Sequence, residues 1–194
     1  MSQLRQKGSN VVPNTQLIKP MKIIFLDRDG TVIRDPEDER VDTEQKIELF
    51  PDSIEALRYL AEQDFSVIFI TNQAGISEGR INLEDFEHIH GKVLATLSPS
   101  GVKVLKTYMC PHGPKDNCDC RKPKPKMLLE AIGEFNLSPK DIFMVGDRES
   151  DIEAGIKAGT KTILVKTANI DVVADQATYT ALNLLDAVKY AVAH

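Results

Sequence analysis

The chain has no tryptophan, and aromatic residues make up 6% of it. A groove that binds nucleic acid needs aromatic platforms beside a cationic track. The formal net charge is −5, and basic residues gather only in the local cluster Arg121-Lys122-Pro123-Lys124-Pro125-Lys126, which argues against such a groove. No apolar run approaches the roughly 20 residues that cross a bilayer. Cysteine is scarce: there are 3, an odd number that cannot pair completely into disulfides. Residues 1–20 are polar, with Asn, Gln, Lys and Pro scattered through them, and lack the apolar middle of a secretory signal. They are expected to form a flexible arm. Without an export signal, the sequon Asn136-Leu137-Ser138 reads as chance. Internal repeats and low-complexity segments are absent. These absences point to a cytoplasmic monomer with neither a nucleic-acid nor a membrane partner.

What is present fits one domain. The 194 residues are 42% hydrophobic and 27% charged, an ordinary globular balance with room for a substantial core. Apolar segments rich in Val, Ile and Phe predict strands near 22–27, 66–71, 103–109, 141–146 and 161–166. Helical patterns fill 52–63, 83–97, 125–136, 149–158 and 181–192, with Pro51-Asp52-Ser53 supplying a cap for the first. Such alternation predicts an α/β fold, a doubly wound, Rossmann-like parallel sheet covered on both faces, over a single domain at 21–194. Gly155 and Gly159 read as packing and C-cap positions, not phosphate binders. Two connections, Thr31 to Phe50 and Cys110 to Lys124, exceed simple turns. Both are expected over the strand ends, and neither is long enough for a large cap domain.

The run Phe25-Leu26-Asp27-Arg28-Asp29-Gly30-Thr31 places two carboxylates after the apolar Ile23-Ile24-Phe25-Leu26. It reads as a buried strand breaking into a loop. At a spacing of two, both carboxylates lean into one crevice while Arg28 points away. In open α/β sheets that crevice, at the carboxyl ends of the strands, is where ligands bind. Such a pair can attack covalently, shuttle a proton and hold a hard divalent cation.

Asp-x-Asp-Gly-Thr after a hydrophobic strand resembles the first motif of the haloacid dehalogenase-like superfamily, in its phosphatase branch. Three further motifs follow in order: Thr71 closing Val67-Ile68-Phe69-Ile70-Thr71, Lys122 in Cys120-Arg121-Lys122-Pro123, and Asp147 in Phe143-Met144-Val145-Gly146-Asp147. Together they span about residues 21 to 166. The resemblance implies that Asp27 is the nucleophile and forms an aspartyl-phosphate. Asp29 would protonate the leaving alcohol and then activate water. Thr71 and Lys122 would hold the phosphoryl oxygens. Mg²⁺ would sit on the Asp27 carboxylate, the Asp29 carbonyl and Asp147, easing the approach of one anion to another. Asp151 is either close to this site or a charge favoured at a helix N-terminus, with the second reading preferred.

All three cysteines lie in Cys110-Pro111-His112-Gly113-Pro114-Lys115-Asp116-Asn117-Cys118-Asp119-Cys120. With His112 they offer two ligand pairs suited to tetrahedral Zn²⁺, and a closed set of four is structural. A disulfide or unrelated thiols are the alternatives. His88 and His90 sit among charged neighbours and are expected on a solvated helix face.

Cys-Pro-His followed by Cys-x-Cys-Arg-Lys-Pro is similar to the group containing heptose bisphosphate phosphatases and the phosphatase domain of histidinol-phosphate phosphatases. The resemblance implies a zinc loop that delivers Arg121 and Lys122 to the site. Arg121, with its planar fork of donors, suits a second anionic group or a polyol. Thr71-Asn72-Gln73-Ala74-Gly75-Ile76 looks like the heptose group and makes Asn72 and Gln73 candidate substrate ligands. The acidic stretch around Asp35 and Glu37 looks more like the histidinol-phosphate group, since carboxylates suit a cationic ligand. The reading therefore leans to a small phosphorylated metabolite of carbohydrate metabolism, D-glycero-D-manno-heptose 1,7-bisphosphate losing its 7-phosphate. Histidinol phosphate is the alternative, and a polynucleotide 3′-end a weaker one.

Overall fold

A computed structural model describes residues 21–36, 41–167 and 171–194. The expected arm at 1–20 and Glu37 lie outside the described residues. Six parallel strands form one sheet in the order β3-β2-β1-β4-β5-β6. They are β1 Lys22–Leu26, β2 Phe65–Asn72, β3 Lys103–Cys110, β4 Phe143–Gly146, β5 Lys161–Val165 and β6 Tyr179–Ala181. The helices are α1 Ser53–Glu62, α2 Leu83–Leu97, α3 Lys126–Glu134, α4 Glu149–Ala158 and α5 Leu184–Ala193. None is long and apolar enough to cross a membrane.

Period-two alternation sorts the strand side chains between two cores. Ile24, Leu26, Val67, Phe69, Phe143 and Val145 pack against Leu57 and Leu60 of α1, Val93 of α2 and Val188 of α5. Ile23, Phe25, Ile68, Ile70 and Met144 face Leu128 of α3 and Ala154 of α4. With both faces covered, the central strands read as continuous apolar runs.

Several local details differ from expectation. The strand β6 has only three residues, too short for a periodic signal. Asp52 is the N-cap of α1 but makes no side-chain cap bond there. Its Oδ2 accepts from Leu185 N at 2.8 Å instead, tying the start of α1 to the start of α5. Gly159 closes α4 at φ 81°. A Cβ on Gly155 would meet Thr162 Cγ2 at 2.5 Å, so both glycines do serve capping and packing.

The sheet order reverses between β1 and β4, leaving a crevice at their carboxyl ends. Asp27, Thr71 and Asp147 lie just after or at the ends of β1, β2 and β4. Asp35, Val41 and Asp42 of the first long connection and Arg121 and Lys122 of the second line the same pocket, of about 210 Å³. Both connections thus sit where they were expected.

Candidate active site

The loop after β1 is wound tightly. Asp27 N donates to Val145 O at 2.8 Å, Gly30 N to Ile33 O at 2.7 Å, and Val32 N to Arg28 O at 3.0 Å. Gly30 adopts φ 81°, and a Cβ there would stand 2.5 Å from Asp147 Oδ2. A side chain at that position would be both strained and driven into a carboxylate. The loop therefore packs the bare Gly30 backbone directly against the Asp147 carboxylate.

Lys122 is the hub. Its side chain is 2% exposed, and Nζ lies 2.9 Å from Asp27 Oδ1 and 2.6 Å from Asp151 Oδ1. It also donates to Ile70 O at 2.7 Å. Burial disfavours its charge, but Asp151 and Asp27 outweigh that and hold the ammonium protonated. Asp27 Oδ1 also accepts from Arg28 N at 2.8 Å. Burial pushes the Asp27 carboxyl well above its ordinary range, Lys122 pulls it back, and Asp151 and Asp147 push it up again.

Asp151 is fully buried. One oxygen pairs with Lys122, and the other accepts from Arg148 N at 3.0 Å, closing the first turn of α4. It is a helix-terminal charge, as preferred above, and at the same time a member of the buried cluster.

Asp27, Asp147 and Asp151 each offer a carboxylate oxygen, all within 4.8 Å of one another. The Lys122 ammonium pairs with two of these three buried carboxylates, Asp27 and Asp151, and Arg148 Nε lies 3.9 Å from the third, Asp147. Hard oxygen donors with excess negative charge fit a divalent cation of the Mg²⁺ class, which Asp27 and Asp147 could hold while Asp151 pairs with Lys122.

Asp29 and Thr71 stand beside the cluster. Thr71 Oγ1 donates to Asp29 Oδ2 at 3.3 Å. Gln73 Nε2 reaches both Asp29 Oδ2 at 2.7 Å and Thr71 Oγ1 at 2.8 Å. Asn72 lines the pocket too, but its amide brackets the Lys122 backbone. Oδ1 accepts from Lys122 N at 3.1 Å, and Nδ2 donates to Lys122 O at 3.2 Å.

At the rim, Arg148 donates to Asp35 at 2.8 Å. Arg121 donates to His112 O at 3.0 Å, so the two adjacent cations diverge, Lys122 inward and Arg121 to the rim. Arg148 was missed as a pocket residue, because nothing in the sequence pairs it with Asp35 113 positions away.

Cys110, His112, Cys118 and Cys120 gather their donor atoms within 4.8 Å, and the cysteines are free thiols. Tetrahedral zinc with bonds of about 2.3 Å to sulfur and about 2.0 Å to nitrogen requires S–S edges of roughly 3.8 Å and S–N edges of roughly 3.5 Å. Here Cys110 and Cys118 sulfurs are 3.6 Å apart, and His112 Nδ1 is 3.7 Å from Cys110 Sγ and 3.3 Å from Cys120 Sγ. The Cys110–Cys120 separation is tighter, at 2.9 Å. Three of these four edges match tetrahedral Zn²⁺ within about 0.2 Å, and the donor chemistry of the set suits that ion. Around it, Gln73 N donates to Cys110 O at 2.7 Å and Gly113 N to Ser77 Oγ at 2.9 Å, which binds the loop after β2 to the cysteine loop.

His88 is exposed and paired with Glu44 at 2.9 Å, as a solvated position should be. His90 is half-buried instead. It stacks on Phe86 at 5.7 Å and lies 2.8 Å from Thr107 Oγ1. Two residues along a helix turn about 200°, so His90 faces the sheet.

Residues 119–187 match the HAD-hydrolase-like family model. The chain is 36% identical over 147 residues to the D-glycero-beta-D-manno-heptose-1,7-bisphosphate 7-phosphatase of Pseudomonas putida, covering 76% of this chain and 83% of that one. The chain belongs to the HAD-like hydrolases. A solved structure of the same family, D,D-heptose 1,7-bisphosphate phosphatase from B. bronchiseptica complexed with magnesium and phosphate, superposes with a TM-score of 0.81 at 31% identity. That alignment covers 88% of this HAD-like hydrolase and 97% of the other chain. The histidine biosynthesis bifunctional protein HisB of Campylobacter jejuni subsp. doylei is 37% identical over 141 residues. There the match covers 72% of this chain but 40% of the relative.

Proposed function

We propose that this HAD-like hydrolase is a Mg²⁺-dependent phosphatase that removes the 7-phosphate of D-glycero-D-manno-heptose 1,7-bisphosphate, with residues 21–194 as one catalytic domain. The observation that carries the reading is the Asp27–Lys122–Asp151 cluster with Asp29 and Thr71 beside it. An Asp27 oxygen attacks phosphorus while the bond to the ester oxygen breaks. The departing oxygen takes the proton of the Asp29 carboxyl and leaves as the alcohol. Asp29, now a carboxylate, takes a proton from water as that water attacks the aspartyl-phosphate, which returns Asp27 and releases phosphate. Lys122 fixes Asp27 and offers charge to the transferring group. Bound Mg²⁺ would supply further charge neutralisation at Asp27 and Asp147. Zn²⁺ on the cysteine loop would be structural.

Rim chemistry favours the bisphosphate. Asp35, the carboxylate suited to a cationic ligand, is already engaged by Arg148, and Arg121 adds a second cation to the same rim. A second phosphate meets two guanidinium forks there. The relatives named heptose bisphosphate phosphatases also match along most of their length.

The test is phosphate release by wild type and Asp27→Asn, with Mg²⁺, on heptose 1,7-bisphosphate and histidinol phosphate. The expected result is turnover of the bisphosphate above histidinol phosphate, abolished by Asp27→Asn because an amide is a poor nucleophile. A higher kcat/KM on histidinol phosphate would overturn the substrate, and an active, pure Asp27→Asn would overturn the mechanism.

A further inference from the structure

Arg28 is fully buried and heads the largest buried side chains of the molecule. It does not line the pocket, as its place between two inward-facing aspartates predicts, but neither does it simply point away. The side chain curls back onto its neighbour. Nε donates to Asp29 Oδ2 at 3.0 Å, and a terminal nitrogen donates to Asp29 Oδ1 at 3.0 Å, a fork-to-fork pair. The guanidinium carbon sits 5.2 Å over the Phe86 ring, and the other terminal nitrogen is 3.5 Å from His90 Nδ1. Burial and the adjacent Arg28 charge lower the His90 pKa to about 4. The ring is therefore neutral and can accept from the guanidinium while its far nitrogen engages Thr107 Oγ1.

The Asp29 carboxylate is thus clamped from two sides. Arg28 grips both oxygens from within the protein, while Gln73 and Thr71 hold Oδ2 from the pocket side. The geometry points to Arg28 as a positioning residue for Asp29, fixing the carboxyl that exchanges protons with the ester oxygen and with water, and to His90 and Phe86 as the seat that fixes Arg28. This rests on the phosphatase reading and deepens it. A buried cation serving stability alone would take any partner. Here its planar fork lies in register with the proposed proton donor.

The test exploits leaving-group chemistry. An alkyl alcohol leaves poorly unless protonated, whereas p-nitrophenol is acidic enough to leave with little help. Protonation by a placed acid contributes about 10²–10⁴-fold, so misplacing Asp29 should show as a selective loss. Arg28→Met is expected to reduce kcat on heptose 1,7-bisphosphate about tenfold or more beyond its reduction on p-nitrophenyl phosphate, with KM changed less than kcat. His90→Phe keeps a ring on Phe86 and should move the ratio the same way by a smaller factor, which covers the case in which Arg28→Met does not fold. A crystal structure of His90→Phe should show Asp29 rotated or disordered. An unchanged ratio together with an unmoved Asp29 in the His90→Phe crystal structure would overturn the positioning role while leaving the phosphatase reading intact. Wild type inert on both substrates would overturn the reading itself, and this inference with it.

Discussion

Lys122→Met tests the counter-charge at the centre of the cluster. Methionine approximates the length of lysine but leaves Asp27 and Asp151 facing each other at the end of a 2%-exposed side chain. Removing one partner of a buried pair costs about 3–5 kcal/mol, because the remaining charge is uncompensated. For a chain of this size each kcal/mol lowers Tm by about 2–4 °C, so the variant should melt roughly 6–20 °C below wild type. Calorimetry and urea unfolding in Mg²⁺-free buffer without chelator, which leaves the cysteine loop undisturbed, would measure this directly. Added Mg²⁺ should recover part of the loss, since a cation among Asp27 and Asp147 supplies some of the missing positive charge. Adding Asp151→Asn to Lys122→Met should also recover stability, giving a double-mutant coupling energy well above the additivity error of about 0.5 kcal/mol. Asparagine keeps an oxygen for Arg148 N, so the helix cap survives that change. If Lys122→Met unfolds within about 1 kcal/mol of wild type in Mg²⁺-free buffer, Lys122 is not the dominant counter-charge and the account of the cluster is wrong.

Other expectations are more compact. Protein prepared without chelator should carry about one zinc per chain by elemental analysis, and Cys118→Ser should lose it together with activity and thermal stability; zinc-free protein with full activity and stability would refute the structural role. His90 titrates at about 4 against an ordinary 6.5, so its contribution is complete above pH 6.5 and is lost as pH falls toward 4. The ring is half-buried, so solvent screening trims the effect to something on the order of 2 kcal/mol. Urea midpoints of wild type and His90→Phe should therefore converge across that window, and parallel pH curves would refute the assignment. Arg121→Ala should lower kcat/KM on the heptose bisphosphate by roughly ten- to hundredfold more than on a monophosphate, the effect of losing a charge-assisted hydrogen bond worth about 1.5–3 kcal/mol; an equal loss on both would remove Arg121 from second-phosphate recognition.

The legible parts of this molecule were those with a local signal. β1, β2 and β5 announce themselves as apolar runs, and the aspartates of β1 and β4 follow directly from where those runs stop. The cysteine loop was legible because its ligands are neighbours in the chain. Pairing between distant segments was not. Arg148 with Asp35, Asn72 with the Lys122 backbone, and Arg28 with His90 each depend on which loops the sheet order brings together. His90 misled because an amphipathic helix edge is charged on both sides of the boundary, and composition alone does not say which side faces a polar buried partner. Asp151 fills both roles its position offers, one oxygen pairing with Lys122 and the other closing the first turn of α4.

The separation between the buried cluster and the rim has an evolutionary consequence. Asp27, Lys122, Asp147 and Asp151 constrain one another inside the fold, so changing any one strands the others. Arg121, Arg148 and Asp35 stand on surface loops, where replacement leaves those four in place. A lineage built this way can move between metabolites through intermediates that still fold and still cleave phosphate esters.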